Sequence, residues 1–105
     1  MNQTDYKIAR ELKERLTEAV HLLDFRIFGS RARGDADEFS DMDVFLEVEY
    51  LDRELKQRIR NVVWEIGLEN LVHISPLIFT HHELVDSPMR SSAIVGRIHE
   101  EGVAV

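Results

Sequence analysis

The stretch Asp41–Glu49 alternates strictly, with Met42, Val44, Leu46 and Val48 on one side of an extended chain and Asp41, Asp43, Phe45, Glu47 and Glu49 on the other. A strand with that period belongs in a sheet that packs one face on a core and turns the other to water. The apolar face needs a cover, and the chain supplies two helices with matching stripes. Thr4 or Asp5 is expected to cap the first, which runs to about Leu23 with Ile8, Leu12, Leu16, Ala19, Val20 and Leu23 recurring at three and four. Asp52 caps the second, whose stripe is Leu55, Ile59, Val62, Val63 and Ile66, ending near Gly67.

The remaining segments fill in around this frame. Phe25–Phe28 reads as a short strand closed by Gly29, and Ser30 is placed to cap a helical turn through Ala32 and Arg33. Residues 34–40 form a polar loop. Leu71–Phe79 reads as a third strand, and Pro76 inside it argues for a sheet edge or a bulge. Thr80-His81-His82-Glu83 matches a capping box, and Pro88 begins a last helix that runs to about Glu101. The tail Gly102–Val105 is apolar enough to cover a sheet edge or a partner. The order is helix, strand, turn, strand, helix, strand and two helices, without repeat or low-complexity tract. It predicts an α+β fold in which helices cover a small sheet.

At 105 residues the chain is expected to form one domain, residues 1–105. It holds no cysteine, so neither disulfides nor thiolate metal sites arise, and a reducing cytoplasm is the expected location. The first fifteen residues lack the apolar core of a signal peptide, and no apolar run approaches the roughly 20 residues that cross a bilayer. A net charge of −7 speaks against gripping bulk nucleic acid and favours a small nucleotide or a protein partner.

The chemistry lies in one spacing: Gly29-Ser30, ten residues, then Asp41-Met42-Asp43. Period two sets Asp41 and Asp43 side by side on one sheet face. Two carboxylates aimed at the same spot repel each other unless a cation lies between them. Mg²⁺ suits such a pair, because it takes hard oxygen ligands and completes its shell with water and phosphate oxygens. Glycine lets backbone approach a phosphate, Ser30 offers a hydroxyl, and the amides of the following turn point outward. Arg31 and Arg33 bring positive charge beside the turn and are the candidates to reach a triphosphate. Each feature alone is common as a cap, a turn or a solvated charge. Their combination points to nucleotidyl or phosphoryl transfer, which needs little beyond positioning and charge neutralisation.

Phe28-Gly29-Ser30-Arg31-Ala32-Arg33-Gly34, followed by Ser40-Asp41-Met42-Asp43-Val44, resembles the signature of the minimal nucleotidyltransferases of the DNA polymerase β superfamily. The resemblance covers the chain in element order and is most specific over residues 28–46. It implies a small mixed sheet flanked by helices, the polymerase-β-like palm. It also implies Mg²⁺ as cofactor, ATP or another NTP as substrate, and transfer of a nucleoside monophosphate. Gly29 and Ser30 match the family's triphosphate contacts, and Asp41 and Asp43 match its metal ligands. Many members act as antitoxins beside a HEPN-domain toxin, so a HEPN protein is the implied partner, and some members adenylylate that toxin. The family's third carboxylate, on the next strand, falls on His73, within Val72-His73-Ile74-Ser75-Pro76. Glu69 and Asp86 are the nearest acids. Neutral histidine can serve as ligand or base but adds no negative charge and suits zinc better than Mg²⁺. His73 can equally be a half-buried strand residue with a hydrogen-bonded partner.

Three functions follow as expectations: a nucleotidyltransferase acting on a protein hydroxyl through Asp41, Asp43 and His73; a module with a weakened site that neutralises its partner by contact; or a nucleotide sensor without chemistry. His81 and His82 lack the spacing of a helical metal pair, and His21 and His99 sit near helix ends as surface residues. Glu47 reads as a solvated strand acid. Trp64 is either a second core contact or an exposed contact for another subunit, and a homo-oligomer is left open.

Overall fold

Asn2 rather than Thr4 or Asp5 begins the first helix, its side-chain oxygen accepting the Asp5 amide at 2.7 Å. In this computed structural model, which describes residues 1–88 and 92–105, helix α1 spans Gln3–Ala19 and buries Ile8, Ala9, Leu12 and Leu16 as one stripe. It stops earlier than expected. Leu22 already belongs to strand β1, Leu22–Phe28, and the register slips between Leu22 and Asp24, so Leu23 is a bulge residue left exposed. The helix-period position of Leu23 is therefore coincidental.

Strand β2, Met42–Val48, pairs antiparallel with β1 and parallel with β3, Ile74–Thr80. A short β4, Val103–Ala104, closes the far side of β1 antiparallel, so the apolar tail covers a sheet edge. The result is a four-stranded mixed sheet in the order β3-β2-β1-β4, an α+β fold flanked by helices. Pro76 lies in β3, at the sheet margin, as a strand proline should. The Met42 amide donates to the His73 carbonyl at 2.9 Å. In that parallel register the odd residues of β3 bond to β2, and Pro76 turns its missing N–H to the outer edge.

Between β2 and β3 runs α3, Arg53–Asn70, capped by Asp52, whose side chain accepts the Leu55 amide. It continues past Gly67 and ends at Leu71, held in the left-handed region at φ 52°. Gly67 marks close packing instead of the end, because a Cβ there would stand 2.8 Å from the Val72 carbonyl oxygen. The strand after it starts at Ile74 and not at Leu71. Helices α1 and α3 cover one sheet face, burying Phe25, Ile27, Met42, Val44, Leu46, Val48 and Ile74.

The other face holds a second core that the alternation of β2 conceals. Phe45 is fully buried there with Phe79, Val95 and Ile98. Helix α5, Ala93–Glu101, supplies the last two. Helix α4, His81–Asp86, opens with the expected capping box between Thr80 and Glu83. The expected helix start at Pro88 is not where α5 begins, and residues 89–91 lie outside those described. Two residues before Phe45 on the same face, Asp43 is only half-buried. Among the described residues, no helix is long and apolar enough to cross a membrane.

Candidate functional site

The turn after β1 is shaped by what it touches. Gly29 begins helix α2, Gly29–Arg33, at φ 75°, a conformation that favours glycine. A Cβ there would stand 2.3 Å from Asp43 Oδ2. Glycine is thus required twice, by backbone conformation and by the carboxylate lying against it. Ser30 is not the cap, since Phe28 holds that position. Ser30 lies within the turn, its carbonyl accepting the Gly34 and Asp35 amides, and its hydroxyl makes no hydrogen bond among the described residues. The first-turn amides of such a helix have no acceptor within it.

Asp43 pairs with Phe28 on one side and Ser75 on the other. Its carboxyl is held above the usual carboxylate range, first by partial burial and then by the negative charge of Asp41, with Arg33 opposing. Asp41 sits just before β2 and is exposed. The two acids therefore feel each other from adjacent positions, and both face solvent at least in part. That arrangement suits a divalent cation, which would relieve the repulsion. His73 Nδ1 stands 3.2 Å from Asp41 Oδ1. His73 is an exposed residue before the strand and not a half-buried strand residue. Among the described residues, no three His, Cys, Asp or Glu gather closely enough to hold a metal ion. Two carboxylates with phosphate and water oxygens are a usual Mg²⁺ set, so this pair fits the ion expected of it.

The two arginines part company. Arg33 is exposed, 3.3 Å from Asp35 Oδ2 at its Nε, and its charge reaches Asp43. Arg31 turns inward, which corrects the expectation that it faces a phosphate. It is 8% exposed, with Nη1 donating to Asp5 Oδ1 at 2.7 Å. Its Nε and Nη2 donate to the Ser40 carbonyl at 3.0 and 2.7 Å. Arg31 so ties α1 and α2 to the residue immediately before Asp41. Sequence reasoning overlooked Asp5 as its partner, although a signal was there. Asp5, Ile8, Leu12 and Leu16 share one helical stripe, and a carboxylate on a buried stripe needs a cation.

Glu47 is another correction. Its side chain is 16% exposed and pairs with His81 Nδ1 at 2.7 Å. That bond raises the His81 pKa above its usual value. His82 lies 3.5 Å from Asp86, one turn on. These pairs belong to the opposite end of β2 from Asp43 and stand apart from the site. Trp64 is exposed, which excludes a second core contact.

A family model described as a nucleotidyltransferase domain matches residues 6–104. No curated protein matches the chain in sequence. Solved structures do share the fold. A protein of Sulfolobus solfataricus described as a candidate nucleotidyltransferase aligns over 93% of this chain and 76% of its own, with a TM-score of 0.56 and 21% identity. A toxin–antitoxin structure with AMP-PNP aligns over 95% and 70%, with a TM-score of 0.61 and 16% identity. The toxin–antitoxin MntA-HpeT, carrying two aspartate-to-glutamate substitutions, aligns over 99% and 72%, with a TM-score of 0.60 and 15% identity.

Proposed function

Because the chain belongs to the nucleotidyltransferase domain family, we propose that residues 1–105 form one Mg²⁺-dependent unit that transfers a nucleoside monophosphate from ATP or another NTP to a protein hydroxyl. The acceptor is a HEPN partner that the protein restrains as its antitoxin, a reading supported by the likeness to toxin–antitoxin structures. The observation that carries the transfer reading is the seating of Asp43 against Gly29 beside exposed Asp41. Any side chain at position 29 would meet that carboxylate, and the next residue, Ser30, has a hydroxyl without a hydrogen-bond partner among the described residues.

In this scheme Asp41 and Asp43 hold the ion, while Gly29, Ser30 and Arg33 receive the triphosphate. Arg31 acts from behind, fixing Ser40 and so Asp41. When bound, Mg²⁺ neutralises the phosphates and the charge that develops on them. The acceptor oxygen forms a bond to the α-phosphorus, the bond from that phosphorus to the bridging oxygen breaks, and pyrophosphate leaves. His73, next to Asp41, takes the hydroxyl proton.

Purified protein with ATP and Mg²⁺ is expected to label its partner, and Asp43→Asn to abolish the labelling. A wild type that binds its partner and labels nothing would overturn this reading. The contact of His73 with Asp41, where the family has a third acid, favours a second reading: a site too weak to turn over, with the partner neutralised by contact. Asp41→Ala with Asp43→Ala would then leave neutralisation intact.

A further inference from the structure

Helix α3 presents Lys56, Arg60, Trp64 and Leu68 at intervals of four, hence on one face. That face overhangs the free margin of β3. The two enclose a groove of ≈ 470 Å³ walled by Trp64, Leu68, Leu71, Val72 and Pro76, with Arg60 at its rim and His73 at its end. It continues past Arg60 and Pro76 to Lys56. Trp64 is 67% exposed, Leu68 55% and Leu71 90%. Leu71 also holds a left-handed backbone, which is strained for a non-glycine residue and here displays an apolar side chain to water.

The charges along the groove are as uneven as its apolar lining. Among the described residues Arg15, Arg26, Arg31, Arg33 and Arg58 each pair with Asp or Glu, while Arg10, Arg53 and Arg97, away from the groove, do not. Lys56 and Arg60 have none among the described residues. Two unpaired cations at one end of an apolar groove, on a chain of net charge −7, call for an occupant that is apolar along its length and acidic at that end. Strand addition meets the need less well, because Pro76 removes one N–H from the middle of the outer edge and a strand would leave the α3 wall of the groove uncovered.

We infer that the groove docks an amphipathic helix with an acidic end, carried by the protein whose hydroxyl receives the nucleotide. This rests on the nucleotidyl-transfer reading above. The helix lies with its acids at Lys56 and Arg60 and its apolar face on Trp64, Leu68 and Leu71. That orientation leads the bound segment to His73, whose ring touches Asp41.

Trp64 is the one tryptophan of the chain, so its fluorescence reports the groove directly. The probes are two synthetic amphipathic peptides free of tryptophan, with leucine on one face and either glutamate or lysine at one end. The glutamate peptide is expected to shift Trp64 emission to the blue and to bind about tenfold tighter than the lysine peptide at low salt. Lys56→Glu with Arg60→Glu reverses that preference, and Leu68→Asp, on an exposed position, weakens both peptides with the circular dichroism unchanged. No blue shift, or equal binding of both peptides, overturns the proposal. So does a shift that grows with protein concentration alone, which would make the occupant a second copy. ATP binding with Mg²⁺ is read separately by calorimetry. Retained ATP binding without a peptide response removes only the groove's role, whereas absent ATP binding removes the transfer reading and the acceptor role with it.

Discussion

At Gly29, any side chain meets two obstacles at once: a backbone at φ 75° and the Asp43 carboxylate, 2.3 Å from where a Cβ would be. Gly29→Ala is therefore expected to cost roughly 1–3 kcal/mol in urea unfolding, much of it recovered in Gly29→Ala with Asp43→Ala, since the second change removes the obstructing group. Asp43 itself carries a pH signature. Its folded pKa is raised, by burial first and by Asp41 second. The group therefore favours the fold while protonated, and that contribution is lost as pH rises from the unfolded value through the higher folded one. In the presence of chelator, Asp43→Asn is expected to gain stability relative to wild type across that window and to keep a constant advantage above it. Thermal unfolding from pH 3 to 7 measures the difference; a wild type that gains on the variant as pH rises would reverse the sign and refute the cause.

Among the elements, α1 and α2 are joined to the loop before β2 by one buried pair, Asp5 and Arg31, with side chains 5% and 9% exposed. Asp5→Ala leaves a buried guanidinium without its counter-charge, so a loss of about 3–5 kcal/mol is expected. Because Arg31 also holds Ser40, the same change should blunt nucleotide binding from a distance, seen as a weaker ATP affinity in calorimetry even where the protein is fully folded. Arg31→Lys should blunt it likewise, because an ammonium cannot span Asp5 and the Ser40 carbonyl with a fixed fork. The legibility of these elements follows from how they are stabilised. Helices α1 and α3 and strand β2 could be read from the chain because each carries an apolar face whose period repeats several times. The end of α1 could not, since Leu23 satisfies the helical period yet serves as a strand bulge. Phe45 was read as part of a polar face because α5, which buries it, arrives fifty residues later in the chain. The Asp–x–Asp pair and the glycine were visible as spacing, whereas the inward turn of Arg31 depends on which arginine finds Asp5.

For the whole molecule the decisive quantity is its charge. A chain at −7 meets ATP, itself an anion, with a repulsive field, and Arg33 alone among the site's arginines faces the solvent side of Asp43. Free ATP should therefore bind poorly. Mg²⁺ changes the balance at both ends, reducing the charge of the nucleotide and relieving the repulsion from Asp41 that adds to burial in holding the Asp43 pKa up. Binding to the folded form alone stabilises it by mass action, about 2.7 kcal/mol at a ligand concentration of 100 times Kd. The expected outcome is a rise in Tm with ATP and Mg²⁺ together, little with ATP in chelator, and an intermediate effect of Mg²⁺ alone. Asp41→Asn with Asp43→Asn should raise the starting Tm, by removing the repulsion, and yet abolish the ligand-induced rise. That opposite movement separates a metal site from an acid pair that only burdens the fold. A double variant that loses both the starting stability and the response would mean the carboxylates are structural, and an equal response to ATP with and without Mg²⁺ would mean the ion has no part in binding.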